Sequence, residues 1–451
     1  MHLSTLANEL PGELFGHDVE FSTLSTDTRS IVKGEVYLAL VGENFDGNDF
    51  IEQAISKGAS AAILSKSINS KIPLLRVADT HQALGRIAEL NRIRSCARVI
   101  ALTGSQGKTT VKEMIGTILS NRASTLVTAA NLNNTIGVPL TLLQLNAGHS
   151  FAVIEMGANS HGEIAFSVRV ARPDIALITN ASATHIEGFG SLMGIVEAKG
   201  EIIDGLVENG VLLLNADDAN YRTWVKRAAG KRVVLFSLIN ENRNASYYAK
   251  EIVINSKGQI SFDMITPIGE RAISMNLLGK HNVRNAIAAA AAAIETGASL
   301  DDVVVGLRKF APVQGRLSPV RGMRNSKLID DSYNANPNSY CAAIDVLMSF
   351  KGDRYLIAGD MKELGVESEA AHRLVGKYAA NAGVDGLLAI GDQCKLMVEA
   401  FGNNARHFKD KADLIVECKK LARSNVVFLV KGSRGATMDT VVNELTGSEE
   451  L

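Results

Sequence analysis

Short apolar runs alternate along the chain with longer segments in which apolar residues recur at helical spacing. The clearest case begins with Val99–Leu102, an apolar run of the kind that forms a buried strand. A polar stretch that contains two glycines, TGSQGKTT at residues 103–110, follows this run. The next apolar positions are Val111, Met114, Ile115, Ile118 and Leu119. Their recurrence on one helical face predicts a helix that packs on a sheet.

The same alternation continues toward the C-terminus and predicts an α/β fold. Further apolar runs that end in polar residues are Phe151–Ile154, Ile175–Ile178, Val211–Leu214, Leu328–Ile329, Tyr355–Ala358, Leu387–Ile390 and Val426–Val430. We expect three domains: a small α/β N-terminal domain over residues 1–83, a central P-loop domain with a parallel mononucleotide-binding sheet over 84–312, and a C-terminal Rossmann-like domain over 313–451. Parallel sheets bind ligands at the carboxyl ends of their strands, so the polar residues there are candidates for the site.

The stretch from Thr103 to Thr110 has the composition of a phosphate-binding loop. Backbone N–H groups of a glycine loop and of a helix N-terminus can face an anion, a lysine adds positive charge, and a threonine hydroxyl can hold Mg²⁺. The candidates are Gly104, Ser105, Gln106, Gly107, Lys108, Thr109 and Thr110. The loop departs from the pattern G-x-x-x-x-G-K-[ST], because Leu102 stands where the first glycine would be. A plain glycine turn with a surface lysine is the alternative, and the flanking strand and helix patterns disfavour it.

Three other candidates admit two interpretations each from the residues alone. Glu155 ends a predicted strand and is either a Mg²⁺ ligand or a salt-bridged residue. The asparagine-rich segment 131–139, with Asn134 and Thr135, suits either a polar ligand or ordinary turns. Lys199 lies in a predicted helix from Met193 to Leu206, where a lone lysine normally faces solvent.

Two further segments also allow two interpretations each. His281, Asn282 and Asn285 stand near the start of an alanine-rich helix and could either frame a flat base or cap a buried helix. The hydroxyl-rich segment Ser25–Ser30 contains Arg29 and could bind a diphosphate, although by itself it favours a solvated turn.

The composition argues against several classes of protein. The net charge of −1 creates no field that favours nucleic acid or an anionic membrane, so we expect neither nucleic-acid binding nor membrane insertion. The longest apolar run, Ala286–Ile294, is about half as long as a membrane span. Four separated cysteines without a C-x-x-C pair, together with an N-terminus too polar for a signal peptide, indicate a reduced protein of the cytoplasm. We expect a monomer.

The motifs, taken in their order, resemble those of the Mur ligases, the ATP-dependent enzymes that form amide bonds in peptidoglycan synthesis. They are TGSQGKTT, the EMG strand end, a loop with His185, AKGEI, GKHNVRNA, a Gly-Arg pair and DDSYNANP. The resemblance covers essentially the whole chain. NLNNTIGVP, GANSHGEI, THIEGFGS, DSYNANP and AGDMKELG are similar to the segments of family members that use D-alanyl-D-alanine. A D-N-P-R motif, which marks addition of diaminopimelate, is absent from the sequence.

The resemblance implies roles for the matching residues. The residues implied for ATP are Gly104, Ser105, Gln106, Gly107, Lys108, Thr109 and Thr110 at the phosphates, His281, Asn282 and Asn285 at the adenine, Arg316 at the phosphates, and Asp331 at the ribose or the hinge. Two Mg²⁺ ions would be held by Thr109, Glu155, His185 and Lys199, with Lys199 carbamylated by CO₂, which reverses the surface interpretation. The substrate residues would be Ser25, Arg29, Asn134, Thr135, Asn334, Asn336, Lys431 and Ser433. The catalytic residues would be Lys108, Lys199, His185 and Arg316.

The reaction that the resemblance implies adds D-alanyl-D-alanine to UDP-N-acetylmuramoyl-tripeptide. The peptide carboxylate would attack the γ-phosphate of ATP, and the dipeptide amine would then displace phosphate from the acyl phosphate. Two Mg²⁺ ions, Lys108 and Arg316 would offset the repulsion between the anions. The alternatives are a Mur ligase that adds a single amino acid, an enzyme similar to folylpolyglutamate synthetase, and a nucleotide-binding regulator without catalytic activity.

Overall fold

The computed structural model describes residues 1–182, 186–238, 244–255 and 258–446, which form three successive α/β units. Each unit has its own sheet, and helices pack on the sheet faces around separate clusters of buried apolar residues. The α/β fold class with three domains, as the sequence predicts, is confirmed.

The first unit has a five-stranded sheet and a small hairpin. Its elements are α1 (Leu3–Glu9), β1 (Gly12–Phe15), β2 (Leu24–Ser25), β3 (Val36–Leu38), β4 (Val41–Gly42), β5 (Phe45–Asp46), α2 (Ile51–Ser56), β6 (Ala61–Leu64), β7 (Leu74–Val77) and α3 (Thr80–Arg94). The strand order is β1-β7-β6-β3-β2, with β1 antiparallel to β7 and the other neighbours parallel.

Helix α3 belongs to the cores of both the first and the second unit. Leu84 and Ile87 pack in the first core, and Ala88 packs in the second. The expected boundary at residue 83 therefore falls inside a continuous helix and not in a linker.

The second unit has a six-stranded parallel sheet in the order β13-β12-β11-β8-β10-β9 and a three-stranded antiparallel sheet, β14-β15-β16. The strands of these sheets are β8 (Arg98–Thr103), β9 (Thr125–Val127), β10 (Phe151–Glu155), β11 (Ile175–Ile178), β12 (Val211–Asn215), β13 (Arg232–Phe236), β14 (Tyr248–Ile254), β15 (Ile260–Thr266) and β16 (Gly269–Met275). The helices are α4 (Lys108–Ser120), α5 (Gly137–Leu142), α6 (Glu163–Ala171), α7 (Ile186–Phe189), α8 (Leu192–Gly200), α9 (Tyr221–Arg227), α10 (His281–Glu295) and α11 (Leu300–Lys309).

Two features of the second unit differ from the sequence predictions. The antiparallel sheet was not predicted, because its strands mix buried and exposed residues and lack the continuous apolar runs of the parallel strands. The helix expected from Met193 to Leu206 is wrong at its end: α8 stops at Gly200, and a 3₁₀ turn, Glu201–Ile203, follows it. The carboxylate of Glu201 in that turn accepts hydrogen bonds from the N–H groups of Gly162 and Ala165, at the start of α6.

The third unit has a six-stranded sheet in the order β17-β18-β22-β19-β20-β21, in which only the β17–β18 pair is antiparallel. Its elements are β17 (Ser318–Arg321), β18 (Lys327–Asp331), α12 (Pro337–Met348), β19 (Asp353–Gly359), α13 (Ser368–Ala382), β20 (Gly386–Ile390), α14 (Cys394–Phe401), β21 (Ala405–Phe408), α15 (Lys411–Leu421), β22 (Val426–Lys431) and α16 (Asp439–Leu445).

The alanine-rich helix α10 lies in the core of the second unit. Its alanines from Ala286 to Ala293 are buried, and α10 packs against α4, the helix that follows the glycine loop. This close packing brings the start of α10 next to the loop. Among the helices of the described residues, none has both the length and the hydrophobicity needed to cross a lipid bilayer.

Candidate active site

The glycine loop lies between the end of β8 and the start of α4, as its motif predicts. Gly104 and Gly107 both have positive φ angles, +150° and +80°. A Cβ atom on Gly107 would lie 2.7 Å from Asn285 Oδ1, and one on Gly104 would overlap the hydroxyl of Thr179. Both positions therefore require glycine for conformational and steric reasons.

Residues that follow β11 hold this loop. Asn180 accepts hydrogen bonds from Ser105 N, through its backbone oxygen at 3.0 Å, and from Gln106 N, through Oδ1 at 3.0 Å. The hydroxyl of Thr179 donates to Gln106 O at 2.6 Å. No individual role was predicted for Thr179 or Asn180. Their position directly after a buried parallel strand was the signal that could have found them.

Lys108, the first residue of α4, is half-buried, and its Nζ donates to Gly104 O at 2.7 Å. Burial lowers the pKa of Lys108, the negative charge of Glu155 opposes this shift, and the positive charge of Arg316 adds to it. The lysine thus folds back on the loop that it follows, close to charges from both the second and the third unit.

Glu155, at the end of β10, has a side-chain oxygen without a partner. Its exposed fraction is 1%, and its Oε1 accepts from Asn133 Nδ2 at 2.8 Å and from the Thr109 hydroxyl at 3.4 Å. Its Oε2 is buried and accepts no hydrogen bond from any of the described residues. A threonine hydroxyl beside an unpartnered carboxylate oxygen is a donor set that fits Mg²⁺.

Two residues that were not predicted, Lys112 and Thr128, form a hydrogen-bonded chain that ends at the backbone of Glu155. Lys112, on the buried side of α4, donates from Nζ to Thr128 O at 2.7 Å. The hydroxyl of Thr128 accepts from the backbone N–H of Glu155 at 3.0 Å. A lysine inserted between the apolar positions of a predicted helix was the available signal for Lys112.

Lys199 is buried near the end of α8, with an exposed fraction of 3%. The surface position expected for a lone helix lysine is therefore wrong, because α8 packs this side inward. Burial lowers the pKa of Lys199 to about 7, the positive charge of Lys108 lowers it further, and Glu163 and Glu201 act in the opposite direction. Its Nζ lies 5.6 Å from the ring centroid of Phe189 and makes no hydrogen bond to the described residues.

His185, predicted as a metal ligand, lies outside the described residues.

The third unit supplies the opposite wall. Arg316 stacks on Tyr333, with its Cζ atom 4.0 Å from the ring centroid. Lys431 and Asp331, at the ends of β22 and β18, form an ion pair with a Nζ–Oδ2 distance of 2.6 Å, and Lys431 Nζ also donates to Asn334 O at 2.8 Å. Burial raises the pKa of Asp331 and lowers that of Lys431, and in each case the partner's charge opposes the shift.

A direct hydrogen bond joins the glycine loop to the third unit. Gln106 Nε2 donates to Asn336 Oδ1 at 3.0 Å, and the same oxygen accepts from Ser339 N at the start of α12. Ser433 is buried beside this wall, and its Oγ accepts from Lys362 N at 2.8 Å.

Two adjoining clefts lie between the second and third units. The inner cleft, about 220 Å³, is lined by Lys108, Thr109, Asn134, Glu155, Lys199, Arg316 and Tyr333. The outer cleft, about 370 Å³, is lined by Thr110, His281, Asn282, Asn285, Arg316, Asp331 and Lys431. Ser105, Gln106, Gly107, Asn334 and Asn336 line both clefts. The structure thus brings together most of the predicted site residues.

Residues at the start of α10 line the outer cleft, and two of their side chains also form hydrogen bonds with neighbouring residues of the same segment. Asn282 Nδ2 donates to Leu278 O at 2.8 Å, and Asn285 Nδ2 donates to Asn282 Oδ1 at 3.0 Å. Burial lowers the pKa of His281 to about 4, and the charges of Arg284 and Lys431 lower it further, so the imidazole is neutral near pH 7.

The residues predicted for the UDP-linked substrate do not form one cluster. Ser25 and Arg29 line neither cleft: the Ser25 hydroxyl donates to Asp27 O, and Arg29 is exposed and paired with Asp27 at 2.8 Å. Asn134 lines the inner cleft and accepts from Gly137 N at 2.8 Å at the start of α5. The Thr135 hydroxyl contacts His81 Nε2 at 3.0 Å.

These features define a class of protein: a P-loop nucleotide-binding α/β protein in which a second α/β unit covers the phosphate-binding loop. The chain matches the Mur ligase middle domain over residues 102–293, the Mur ligase glutamate ligase domain over 315–434, and the catalytic domain of the Mur ligase family over 20–92. The chain belongs to the Mur ligase family.

Relatives of known name match the chain over nearly its full length. It is 45% identical over 445 residues to the UDP-N-acetylmuramoyl-tripeptide–D-alanyl-D-alanine ligase of Escherichia coli (strain K12), covering 98% of each chain. Among solved structures, MurF from Acinetobacter baumannii has a TM-score of 0.91 at 34% identity, covering 98% of each chain. MurF ligase from Thermotoga maritima, in complex with ADP, has a TM-score of 0.85 at 26% identity, covering 94% of this chain and 96% of that one.

Proposed function

We propose that this chain is the ATP-dependent ligase that joins D-alanyl-D-alanine to UDP-N-acetylmuramoyl-tripeptide in the synthesis of peptidoglycan precursors. The observation that carries the proposal is the inner cleft, in which Lys108, an unpartnered Glu155 oxygen and Arg316 surround one space. The full-length similarity to the Escherichia coli ligase supports this choice of substrates.

ATP is proposed to lie across both clefts. The loop at 104–110 would take the phosphates in the inner cleft, and His281, Asn282 and Asn285 would frame the adenine in the outer cleft. Asp331 lines the outer cleft, where the ribose would lie. The ADP complex of the Thermotoga maritima relative supports the use of an adenine nucleotide. Residues 1–83 would hold the UDP end of the acceptor, residues 84–312 ATP, and residues 313–451 the incoming amine.

The reaction consists of two steps. The tripeptide carboxylate forms a bond to the γ-phosphorus of ATP while the bond to the bridging oxygen breaks, which gives an acyl phosphate and ADP. The dipeptide amine then attacks the acyl carbon, so that the C–N bond forms while the acyl C–O bond breaks and phosphate leaves, and the amine gives up one proton to the solvent. Lys108 and Arg316 offset the charge that accumulates in the first step, since both line the inner cleft. Thr109 and Glu155 would hold Mg²⁺, which supplies further positive charge at the phosphates.

Water must be kept from the acyl phosphate. The Gln106–Asn336 hydrogen bond holds the third unit against the phosphate loop, so the contact between the two units supports a closed reaction space.

Lys199 is proposed to carry a carbamate. Its neutral amine would attack CO₂ and lose a proton, which converts the side chain into a carboxylate. A pKa of about 7 supplies the neutral amine near pH 7, and its position beside the inner cleft would make it a ligand of a second Mg²⁺ together with His185.

The remaining substrate residues keep their predicted roles as part of the proposal. Arg29 would exchange Asp27 for the diphosphate of the UDP-sugar, with Ser25 beside it. Asn134 and Thr135 would contact the sugar. The residues assigned to the bound peptide are Asn334, Asn336, Lys431 and Ser433. A monomer that acts in the cytoplasm stays our expectation.

Phosphate release, measured over a matrix of UDP-muramyl-peptides and amines, tests the function. We expect release only when ATP, UDP-N-acetylmuramoyl-tripeptide and D-alanyl-D-alanine are all present. Release with a single amino acid in place of the dipeptide would indicate a different ligase of the family. No release with any combination would favour a nucleotide-binding regulator.

A further inference from the structure

We propose that Arg434 binds the free carboxylate of the incoming dipeptide and thereby selects a dipeptide over a single amino acid. The inference rests on the proposed function, because it assigns the position of one substrate of that reaction. Arg434 follows β22 and is not among the residues that the sequence motifs singled out.

One aromatic ring connects Arg434 to the inner cleft. The Cζ atom of Arg434 lies 5.4 Å from the ring centroid of Tyr333, and the Cζ atom of Arg316 lies 4.0 Å from the same centroid. Tyr333 and Arg316 both line the inner cleft. Arg434 therefore stands just outside the space proposed for the acyl phosphate, beside the ring that forms part of its wall.

The charge of Arg434 is available to a ligand. Its side chain is exposed, and its guanidinium makes neither a hydrogen bond nor an ion pair with the residues that the structure describes. Two neighbouring cations are engaged, Lys431 with Asp331 at 2.6 Å and Lys108 with Gly104 O at 2.7 Å, whereas Arg316 faces the inner cleft, where it is assigned to the phosphates of ATP. At this wall Arg434 is thus a cation that still lacks an anionic partner among the described residues.

A dipeptide carries its carboxylate farther from its amine than a single amino acid does, which suits an arginine that stands outside the inner cleft. An extended chain spans about 3.5 Å per residue, so a dipeptide places its carboxylate roughly 7 Å from its reacting amine. An amine in the inner cleft would then carry its carboxylate past Tyr333, whose centroid is 5.4 Å from Arg434 Cζ. The carboxylate of a single amino acid would lie about 3.5 Å closer to its amine.

The chemistry of the two groups is matched. A guanidinium is planar and donates two parallel hydrogen bonds to a carboxylate, and stacking on Tyr333 restricts the orientation of that plane before the substrate arrives. Tyr333 is in this view a positioning residue, whereas Arg434 touches the substrate.

The test compares D-alanyl-D-alanine with its C-terminal amide, which keeps the attacking amine and lacks the negative charge. In the wild type we expect kcat/KM to be about 10-fold to 100-fold lower for the amide. Arg434→Ala should raise KM for the free acid by a similar factor, and the variant should use the acid and the amide equally well. KM for ATP and for the UDP-linked substrate should stay within twofold. Arg434→Lys should recover part of the selectivity, because the charge remains and the paired donors do not.

Arg406→Ala is the control, since Arg406 is also exposed and stacks on Phe408, at 4.7 Å, in the same unit, and differs from Arg434 in its ion pair with Glu417 at 3.4 Å. This variant should keep the acid-to-amide ratio of the wild type. An unchanged ratio in Arg434→Ala, with wild-type thermal unfolding, would overturn the inference while leaving the ligase function intact. If the wild type does not use D-alanyl-D-alanine at all, the proposed function fails instead.

Discussion

The strand ends of the second unit and those of the third unit differ in how completely their buried polar groups satisfy one another. In the second unit, Glu155 Oε2 and Lys199 Nζ form no hydrogen bonds within the described parts of the chain. In the third unit, Lys431 Nζ contacts Asp331 Oδ2 at 2.6 Å, and the Ser332 hydroxyl donates to Asp330 at 2.6 Å. Burial does not account for the difference, because the exposed fractions are 1% for Glu155 and 2% for Lys431.

An unpartnered buried polar group costs stability, so its presence indicates a ligand that completes it. The second unit's strand ends are by this criterion a place where ligands complete the partners of buried groups, whereas Lys431 and Asp331 of the third unit also stabilise the fold by pairing with each other. The contrast teaches that a buried group without a partner at the cleft marks a binding position, whereas a buried pair such as Lys431 and Asp331 has a structural role in addition to its place in the cleft.

The same criterion applies to a buried cluster that has the composition of a metal site. Asp360, His372 and Cys394 offer ligand atoms within 4.8 Å of one another. His372 Nε2 accepts from Met361 N at 3.0 Å, its Nδ1 bonds to Ser368 O at 2.7 Å, and Asp360 accepts from Cys394 N at 2.9 Å. The ring nitrogens of His372 and the carboxylate of Asp360 thus form hydrogen bonds with backbone groups of the protein, so we interpret the cluster as structural.

The largest expected effect follows from removing the cation of the phosphate loop. Lys108→Ala should lower kcat by about 10⁴-fold, because a positive charge placed on the transferred phosphate is removed from the transition state. The free energy of unfolding of this variant should change little, because burial disfavours the charged form of Lys108 and its removal therefore costs the fold little. Phosphate release and thermal unfolding measure the two quantities. Lys395→Ala, at an exposed lysine, is the control, and turnover of Lys108→Ala within tenfold of the wild type would refute a direct role.

A variant in the third unit should, in contrast to Lys108→Ala, lose much of its stability. Lys431→Met leaves Asp331 buried without its 2.6 Å partner, so the free energy of unfolding should fall by about 4 kcal/mol. The double variant Lys431→Met/Asp331→Leu should recover most of this loss, because no unpaired charge remains. Urea unfolding followed by circular dichroism provides the measurement. Equal stability of the single and double variants would contradict a structural role for this pair.

A smaller effect is expected at Lys199. Lys199→Ala should lower kcat about 10²-fold, and short carboxylic acids such as acetate should restore part of the activity by replacing the carbamate. The restoration should be absent in Lys108→Ala, where a cation is missing and not an anion. Full activity of the wild type in buffer freed of CO₂ would show that no carbamate is needed.

The sequence alone predicted those parts of the fold that short-range patterns specify. β8, β10, β11 and β22 lie within one residue of their predicted bounds at each end, because each is a continuous apolar run buried on both faces. The glycine loop was recognised because its residues are consecutive. The antiparallel sheet of the second unit was missed, because alternating half-exposed strands resemble polar loops.

The contacts within the site could not be predicted in the same way. Lys431 and Asp331 are 100 residues apart, and their pairing depends on two strands that meet only in the folded sheet. The burial of Lys199 likewise depends on which side of α8 packs inward, and a single lysine does not encode that. The roles given to the site residues rest on the resemblance and on geometry, and they stay predictions until the variants are measured.

The smallest effect concerns His281, which faces the cleft between the two sets of strand ends. Burial lowers its pKa to about 4, with further lowering by Arg284 and by Lys431 from the third unit, whereas an unfolded histidine titrates near 6.5. Between these values the unfolded chain binds a proton that the folded chain does not, so stability is lost as the pH falls from about 6.5 toward 4. At pH 5 this loss should be about 1–2 kcal/mol relative to pH 7.5.

Urea unfolding of His281→Gln at both pH values measures the contribution, because this variant should lose less stability at pH 5 than the wild type. His17→Gln, at an exposed histidine, should behave as the wild type does. Lys431→Met should also reduce the loss assigned to His281, because one of the charges that disfavour the imidazolium is gone. If Lys431→Met leaves that loss unchanged, Lys431 is not charged in the folded protein. The contact between Lys431 and Asp331 would then be a neutral hydrogen bond and not an ion pair. The contrast with the second unit would in that case rest on hydrogen bonding alone.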